Sequence, residues 1–497
     1  MSGTADRPES QGQSQTESRS QTESQAHSQT EALAAFATHA RYDAIPERSR
    51  ADLRRNLLDA LGCAVGALDG EPIRLLRQQL DAFGGAPLCT LVGGGRSAPD
   101  RAAAWTTALT RYLDFMDNFL AKGETCHPSD NIGSVLAAAD FADAAGRDFL
   151  AAMAVAYQVE IRLTEEAPIM ARGFDHTTQL AFSIAAGVSR ALGLTTDQAA
   201  DALGACGSDF GSLAVIRAAP TTQWKGLASS ATAFAATHAT FLASRGISAP
   251  RQVLEGPKGL MAAIGKRFSI DWAAEPIDGV SRTSLKRYNA EVHTQTAIEA
   301  VLRLRAEHGL RAAEVDEIEA EVFLAAYQIV GGGEYGDRSR VATKEEADHS
   351  LPYVLAVALL DGDVGPAQYR PERIKRADVQ ELLRRIRVTT SSHLESPAPL
   401  VERVDPFTRA YPDEMPARIR IRLRDGRSVE AECRDYPGFV RTPMGWEQAV
   451  EKFERLASRF AEPELRRAIV QAVDGLDGLR VRELTELLGR VSTTPLA

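Results

Sequence analysis

From about residue 31 to residue 270, apolar residues recur every three or four positions, one segment after another. Stretches such as RADLRRNLLDALGCAVGAL (50–68) and DQAADALGACGSDFGSLAVI (197–216) read as amphipathic helices. They are rich in alanine and glycine, which predicts helices packed closely with short side chains between them. Breaks such as ALGLTTDQ (191–198) join a glycine stop to a threonine cap for the next helix. Nothing here alternates as βαβ, and no GxxxxGK[ST] phosphate loop occurs, which disfavours a nucleotide-binding enzyme.

The texture changes after about residue 278. In VDEIEAEVFL (315–324), Ile318, Ala320 and Val322 alternate with glutamates, the period of a half-exposed strand, and RRIRVTT (384–390) reads similarly. ARIRIRLRDGRSVEAEC (417–433) is two such runs joined by Asp425-Gly426, a hairpin signal. HSLPYVLAVALLDG (349–362) and RADVQELLRRI (376–386) look helical, and helical periodicity returns in EQAVEKFERLASRF (447–460) and ELRRAIVQAVDGL (464–476). The predicted fold is mainly α with an inserted α+β lid: a helical domain from 31–277 and 437–497, and an α+β domain over 278–436. A cleft between the two is the natural place for a site. Residues 1–30 repeat SQTES and are expected to be a disordered tail.

With 497 residues, two domains suit the length. The net charge of -10 argues against a nucleic-acid partner, and it requires a local cationic pocket for any anionic substrate. No apolar run reaches the roughly 18–20 residues of a membrane span, and the N-terminus has no signal-peptide core. The five cysteines (63, 89, 126, 206, 433) are scattered without CxxC spacing, which fits a reducing cytoplasm.

Of nine histidines, four interrupt apolar sequence in short polar stretches: TCHPSDN (His127), GFDHTTQ (His176), AEVHTQTA (His293) and ADHSLPY (His349). His127 follows LDFMDNF, which carries Asp114 and Asp117, and precedes a helical run for which Ser129 or Asp130 would serve as N-cap. Spacing argues against zinc, since no HExxH occurs and no second histidine lies within a turn. Sequence adjacency argues against a Cys126–His127 nucleophile pair. Lys225 opens an alanine-rich helix in PTTQWKGLASSATAFAA. It reads either as a snorkelling end-of-helix residue or as a compact cation for a carboxylate. Lys286 and Arg287 stand one to two turns before His293, and Tyr353 follows His349 by four residues. Imidazoles, a lysine, a tyrosine and carboxylates without a cofactor motif suit general acid–base chemistry on a small anion.

LDFMDNFLAKGETCHPSDNIGSVLAAADFA, GFDHTTQLAFSIAAGVSRALGL, QWKGLASSATAFAATHATFLASRG, KRYNAEVHTQTAIEA, HSLPYVLAVALLDG and YPGFVRTPMGWEQAVEKFERLA together resemble the MmgE/PrpD family, from about residue 31 to 490. The family includes 2-methylcitrate dehydratase, cis-aconitate decarboxylase and iminodisuccinate epimerase. The resemblance implies a homodimer working without metal or organic cofactor on a small di- or tricarboxylate. It assigns catalytic positions to Asp114, His127, His176, Lys225, His293 and Tyr353, and substrate contacts to Asn118, Lys286, Arg287 and His349. Asn118 stands where the decarboxylase pattern has threonine, and the loop before His127 is longer, so dehydration of 2-methylcitrate or a close tricarboxylate is the expected reaction. On that expectation His127 or His176 is the base and His293 or Tyr353 the acid, while Lys225, with Lys286 or Arg287, neutralises the carboxylates. Decarboxylase and epimerase remain the enzymatic alternatives, and a non-catalytic carboxylate-binding scaffold is the alternative of another class.

Overall fold

The computed structural model describes residues 28–392 and 398–496, so the expected tail up to residue 27, like His27 and His393, lies outside the described residues. The fold begins earlier than residue 31. The Ser28 side chain accepts from Glu31 N and caps the helix Gln29–His39, in which Thr30 is buried with its hydroxyl on Glu255.

The fold is mainly helical with a small α+β region. One hydrophobic core gathers side chains from Leu33 to Val280 and again from Phe453 to Val491, so both ends of the chain build the helical body. A separate core runs from Tyr288 to Phe439. Small residues set how closely the helices approach. Gly133, in the helix Ile132–Phe141, lies so near the helix Pro99–Tyr112 that a Cβ there would sit 2.4 Å from Thr107 Oγ1. Gly62 of Glu47–Gly66 meets the helix Trp446–Ala457 similarly, with a Cβ 3.1 Å from Phe453 Cα.

The α+β region is a four-stranded sheet in the order Ile386–Thr390, Val315–Val322, Ala417–Leu423, Ser428–Cys433. The first pair is parallel and the others antiparallel. Ile318, Ala320 and Val322 enter the core with Ile298, Val301 and Leu304 of the helix Gln295–His308. The outer face carries cross-strand pairs such as Arg420 with Glu319 and Glu430. Gly426, at φ 91°, makes the predicted hairpin turn. Among the described residues no helix is long and apolar enough to cross a membrane.

Two local expectations fail. The helix predicted over 197–216 stops at Asp209, and a short turn follows at Ala214–Arg217. Between them the chain runs beside residues 173–175, with Asp175 N donating to Ser212 O and Ala214 N to Gly173 O. Tertiary backbone pairing therefore overrides local periodicity. The stretch expected to be helical throughout also contains strands. Asp117–Ala121 lies between Glu124–Cys126 and Ser284–Leu285 in a small antiparallel sheet.

Candidate active site

That small sheet brings the two halves of the sequence together. Asp117 pairs with Leu285 and Asn118 with Ser284, which places Lys286 beside the loop carrying Asp114. Asp114 is buried, with φ 59°, a left-handed conformation that aspartate tolerates better than most residues. Its carboxylate accepts from Arg111 Nη1 at 2.8 Å, Lys225 Nζ at 2.8 Å and Lys286 Nζ at 2.5 Å, and His349 Nδ1 lies 3.7 Å away. These cations hold its pKa well below the usual carboxylate range against the opposing effect of burial.

Lys225 does not snorkel. It sits in the first turn of the helix Trp224–Ser244, its side chain is buried, and Nζ also donates to Asp348 Oδ1 at 3.0 Å. Burial draws its pKa down to about 8 despite the two carboxylates. Asp348 further accepts from Lys344 at 2.6 Å and from His349 Nδ1 at 2.8 Å. Burial, with Lys225, lowers the His349 pKa to about 4, so its ring is neutral and Nε2 carries a lone pair. Lys452, on Trp446–Ala457, donates to the carbonyls of Phe115 and Lys286, so the C-terminal helices brace this cluster.

His127 follows the strand Glu124–Cys126 and precedes a helical turn at Pro128–Asn131. Neither Ser129 nor Asp130 caps the next helix with its side chain, as the sequence had suggested. The cap comes from Asp117 instead, whose Oδ1 accepts from Ser129 N at 3.0 Å, because the strand places that carboxylate over the helix start. His127 Nδ1 faces the Asp117 carbonyl at 2.9 Å, which can only accept, so Nδ1 carries the proton and Nε2 the lone pair. Burial, then Arg111, Lys286 and His176, hold its pKa well below the ordinary value. His127 is therefore a neutral imidazole whose Nε2 has no hydrogen-bond partner among the described residues.

His176 lies edge-on to it, with ring centroids 5.1 Å apart. Its Nε2 receives an N–H from Arg217 at 2.9 Å, and its Nδ1 has no protein partner among the described residues. The two imidazoles thus present opposite functions, a lone pair on His127 and an N–H on His176. Asn118 lies buried on the adjoining strand beside the Tyr436 hydroxyl, and the Ser129 hydroxyl faces Asp117.

His293 is held from one side by Glu291, which accepts from Nδ1 at 2.7 Å and from the His293 backbone N–H. Its Nε2 lies 3.0 Å from the Tyr411 hydroxyl, and that ring reaches Thr125 on the strand before His127. Glu291 N donates to Asp348 O, which links this group to the cation cluster.

Two residues assigned by resemblance stand apart. The Tyr353 hydroxyl donates to the Gln368 carbonyl. Arg287 is exposed, at a bend just past the strand Ser284–Leu285, whereas Lys286 before it is buried. Arg111, Asp175, Arg217 and Asp348 entered the site without having been singled out. GGGEYG (331–336) has dinucleotide-loop spacing, but it follows the helix Leu324–Val330 instead of a strand.

Asp114, Asp348 and His349 hold oxygen and nitrogen donors within 4.8 Å of one another, the one such metal-capable group among the described residues. The Lys225 ammonium lies between the two carboxylates, so this donor set suits a paired cation of the protein itself. Burial raises the carboxyl pKa of Glu124 to about 7 and of Asp130 to about 6, and that of Glu160 further. Asp114, Asp348, Asp175 and Glu291, with Asp130 beside Arg111, face Arg111, Lys225, Lys286, Lys344, Arg217 and Arg338, and among the described residues Arg338 has no carboxylate partner.

Residues 31–273 match the MmgE/PrpD N-terminal domain and residues 288–477 the MmgE/PrpD C-terminal domain. A 2-methylcitrate dehydratase of Cupriavidus necator is 30% identical over 467 residues, covering 87% of this chain and 90% of that protein. The 2-methylcitrate dehydratase of Escherichia coli (strain K12) is 27% identical over 461 residues, covering 87% and 91%. An alkylcitrate dehydratase of a fungus (Fungal sp., strain ATCC 74256) is 26% identical over 479 residues, covering 88% and 89%. The chain belongs to the MmgE/PrpD family.

Proposed function

We propose that this protein is a hydro-lyase that dehydrates 2-methylcitrate, or a closely related tricarboxylate, by general acid–base chemistry of its own side chains. The observation that carries this reading is the pair His127 and His176, with lone pair and N–H fixed oppositely, beside a buried cluster of cations. The relatives' names point to the same reaction.

In this reading Arg338, without a carboxylate partner among the described residues, and the buried lysines offset the substrate carboxylates that the net charge of -10 would repel. His127 Nε2 takes a proton from carbon next to a carboxylate. The His176 Nδ1–H and the Lys225 and Lys286 ammonium groups stabilise the charge that develops on that carboxylate. The departing hydroxyl leaves as water, taking its proton from the Tyr411–His293 pair that Glu291 orients. Neutral histidines are what this needs, since an imidazolium at either position could not act as base or would repel the cations nearby.

The test is separate incubation with 2-methylcitrate, citrate, cis-aconitate and iminodisuccinate, followed by chromatography. Formation of 2-methyl-cis-aconitate supports the proposal. Turnover confined to cis-aconitate or iminodisuccinate would replace it with decarboxylation or epimerisation. We further propose a homodimer, in keeping with apolar side chains exposed along Trp224–Ser244, such as Trp224 at 54% and Phe234 at 41%; sedimentation measures it. A reducing cytoplasm is the proposed compartment, in keeping with five free, buried cysteines.

A further inference from the structure

We propose that Arg217 is a positioning residue that fixes the proton of His176 on Nδ1 and so keeps that N–H free for substrate. The inference rests on the site described above, and it deepens the proposed reaction by saying what makes His176 a donor.

A guanidinium only donates. Arg217 Nη2 lies 2.9 Å from His176 Nε2, so that nitrogen must be the acceptor and the ring proton must sit on Nδ1. The guanidinium is held in place by Asp175, with Nε 2.7 Å from Oδ2 and Nη2 2.9 Å from Oδ1. A loop of the α+β region holds its backbone: Arg338 Nη2 donates to Arg217 O at 3.0 Å, and Ala219 N donates to Tyr335 O at 2.8 Å. The turn Ala214–Arg217 that breaks the predicted helix is what brings this arginine inward.

The groups facing His176 from each neighbouring element are Asp175 on its own loop, Arg217, His127, Arg111 of the helix Pro99–Tyr112, and Asp114. Tyr335 stands by Asp175 and Arg217. Asp175 Oδ1 is 3.8 Å from His176 Nε2. Without Arg217, that carboxylate would lose its cation and draw a proton onto Nε2. The ring would then be an imidazolium at low pH. Above its new pKa it would be the Nε2–H tautomer, with a bare Nδ1 facing the substrate. Burial, with Arg217 and Arg111, keeps the present pKa near 3 against the pull of Asp175, in keeping with a neutral ring.

The test is long-range proton–nitrogen spectroscopy on the whole chain labelled at histidine, with His176→Gln assigning the signal. In the unsubstituted protein His176 should be neutral and Nδ1-protonated from about pH 5.5 to about pH 8. In Arg217→Met the midpoint should rise above about 6.5, the ordinary histidine value, and the neutral form should carry its proton on Nε2. Arg217→Lys, which can still donate to Nε2, and Asp175→Asn, which removes the competing charge, should both retain the Nδ1–H form. Dehydration kcat in Arg217→Met should fall about 100-fold at pH 8 and less at pH 6, with KM little changed.

An Nε2–H ring in the unsubstituted protein, or in Asp175→Asn, would overturn the proposal even if Arg217→Met does not fold. So would an unchanged Nδ1–H ring in a folded Arg217→Met. The spectra need no substrate, so they decide this point even if 2-methylcitrate is not turned over.

Discussion

Replacing Glu124 by glutamine should stabilise the protein at pH 8 and leave it unchanged near pH 4.5. The Glu124 carboxyl is buried, with one oxygen accepting from Met170 N at 2.7 Å and the Ile169 backbone N–H close by. Burial, aided by the charge of Asp175, raises its pKa from 4.5 to about 7. The folded protein therefore holds a proton that the unfolded chain gives up between those values. Stability from this group is fully present below pH 4.5 and is lost as pH rises toward 7. At about 1.4 kcal/mol per pH unit the loss amounts to roughly 3 kcal/mol. Glutamine keeps the acceptor for Met170 N and never ionises, so it avoids that loss. For a domain of this size the gain corresponds to a Tm rise of roughly 3–6 °C at pH 8. Thermal unfolding of both proteins at pH 4.5, 6 and 8 measures it. An equal effect at all three, or a loss of stability at pH 8, would show that burial does not raise this carboxyl's pKa.

Lys225→Met should reduce kcat/KM for dehydration by roughly 100- to 1,000-fold, since it removes a donor aimed at developing charge. Folding should survive, because Asp114 keeps Arg111 and Lys286, and Asp348 keeps Lys344 and His349; turnover within fivefold of the parent would refute the role. Tyr353→Phe should cost about 1 kcal/mol of stability, the worth of its bond to Gln368 O, and leave turnover within a few fold. A loss of turnover beyond about 100-fold with unchanged Tm would mean that the hydroxyl reaches substrate after all.

The sequence made the helical body and the α+β region legible because both periodicities run for many residues. Val315–Val322 and the Ala417–Cys433 hairpin fall where alternation placed them. The strand Asp117–Ala121 was not legible. It is short, and its partners are a hairpin neighbour and a segment some 165 residues away. Lys225 and Lys286 were recognisable as scarce lysines in apolar or family-matching contexts, whereas their convergence on Asp114 is a product of that sheet. Asp175 and Asp348 each directly precede a site histidine, and the repeated Asp–His pair was a signal that could have been used. Arg217 offered none. It lay directly after an expected helix (197–216), and pairing of residues 212–214 with 173–175 turns it toward His176.

His127 is the base of the proposed reaction, and comparison of 2-methylcitrate dehydration by the parent and His127→Gln tests that role most directly. Glutamine can still donate to the Asp117 carbonyl, so Tm should stay within about 2 °C, while loss of the lone pair should lower kcat by roughly 100- to 10,000-fold. A folded His127→Gln protein that dehydrates 2-methylcitrate within threefold of the parent rate would contradict it.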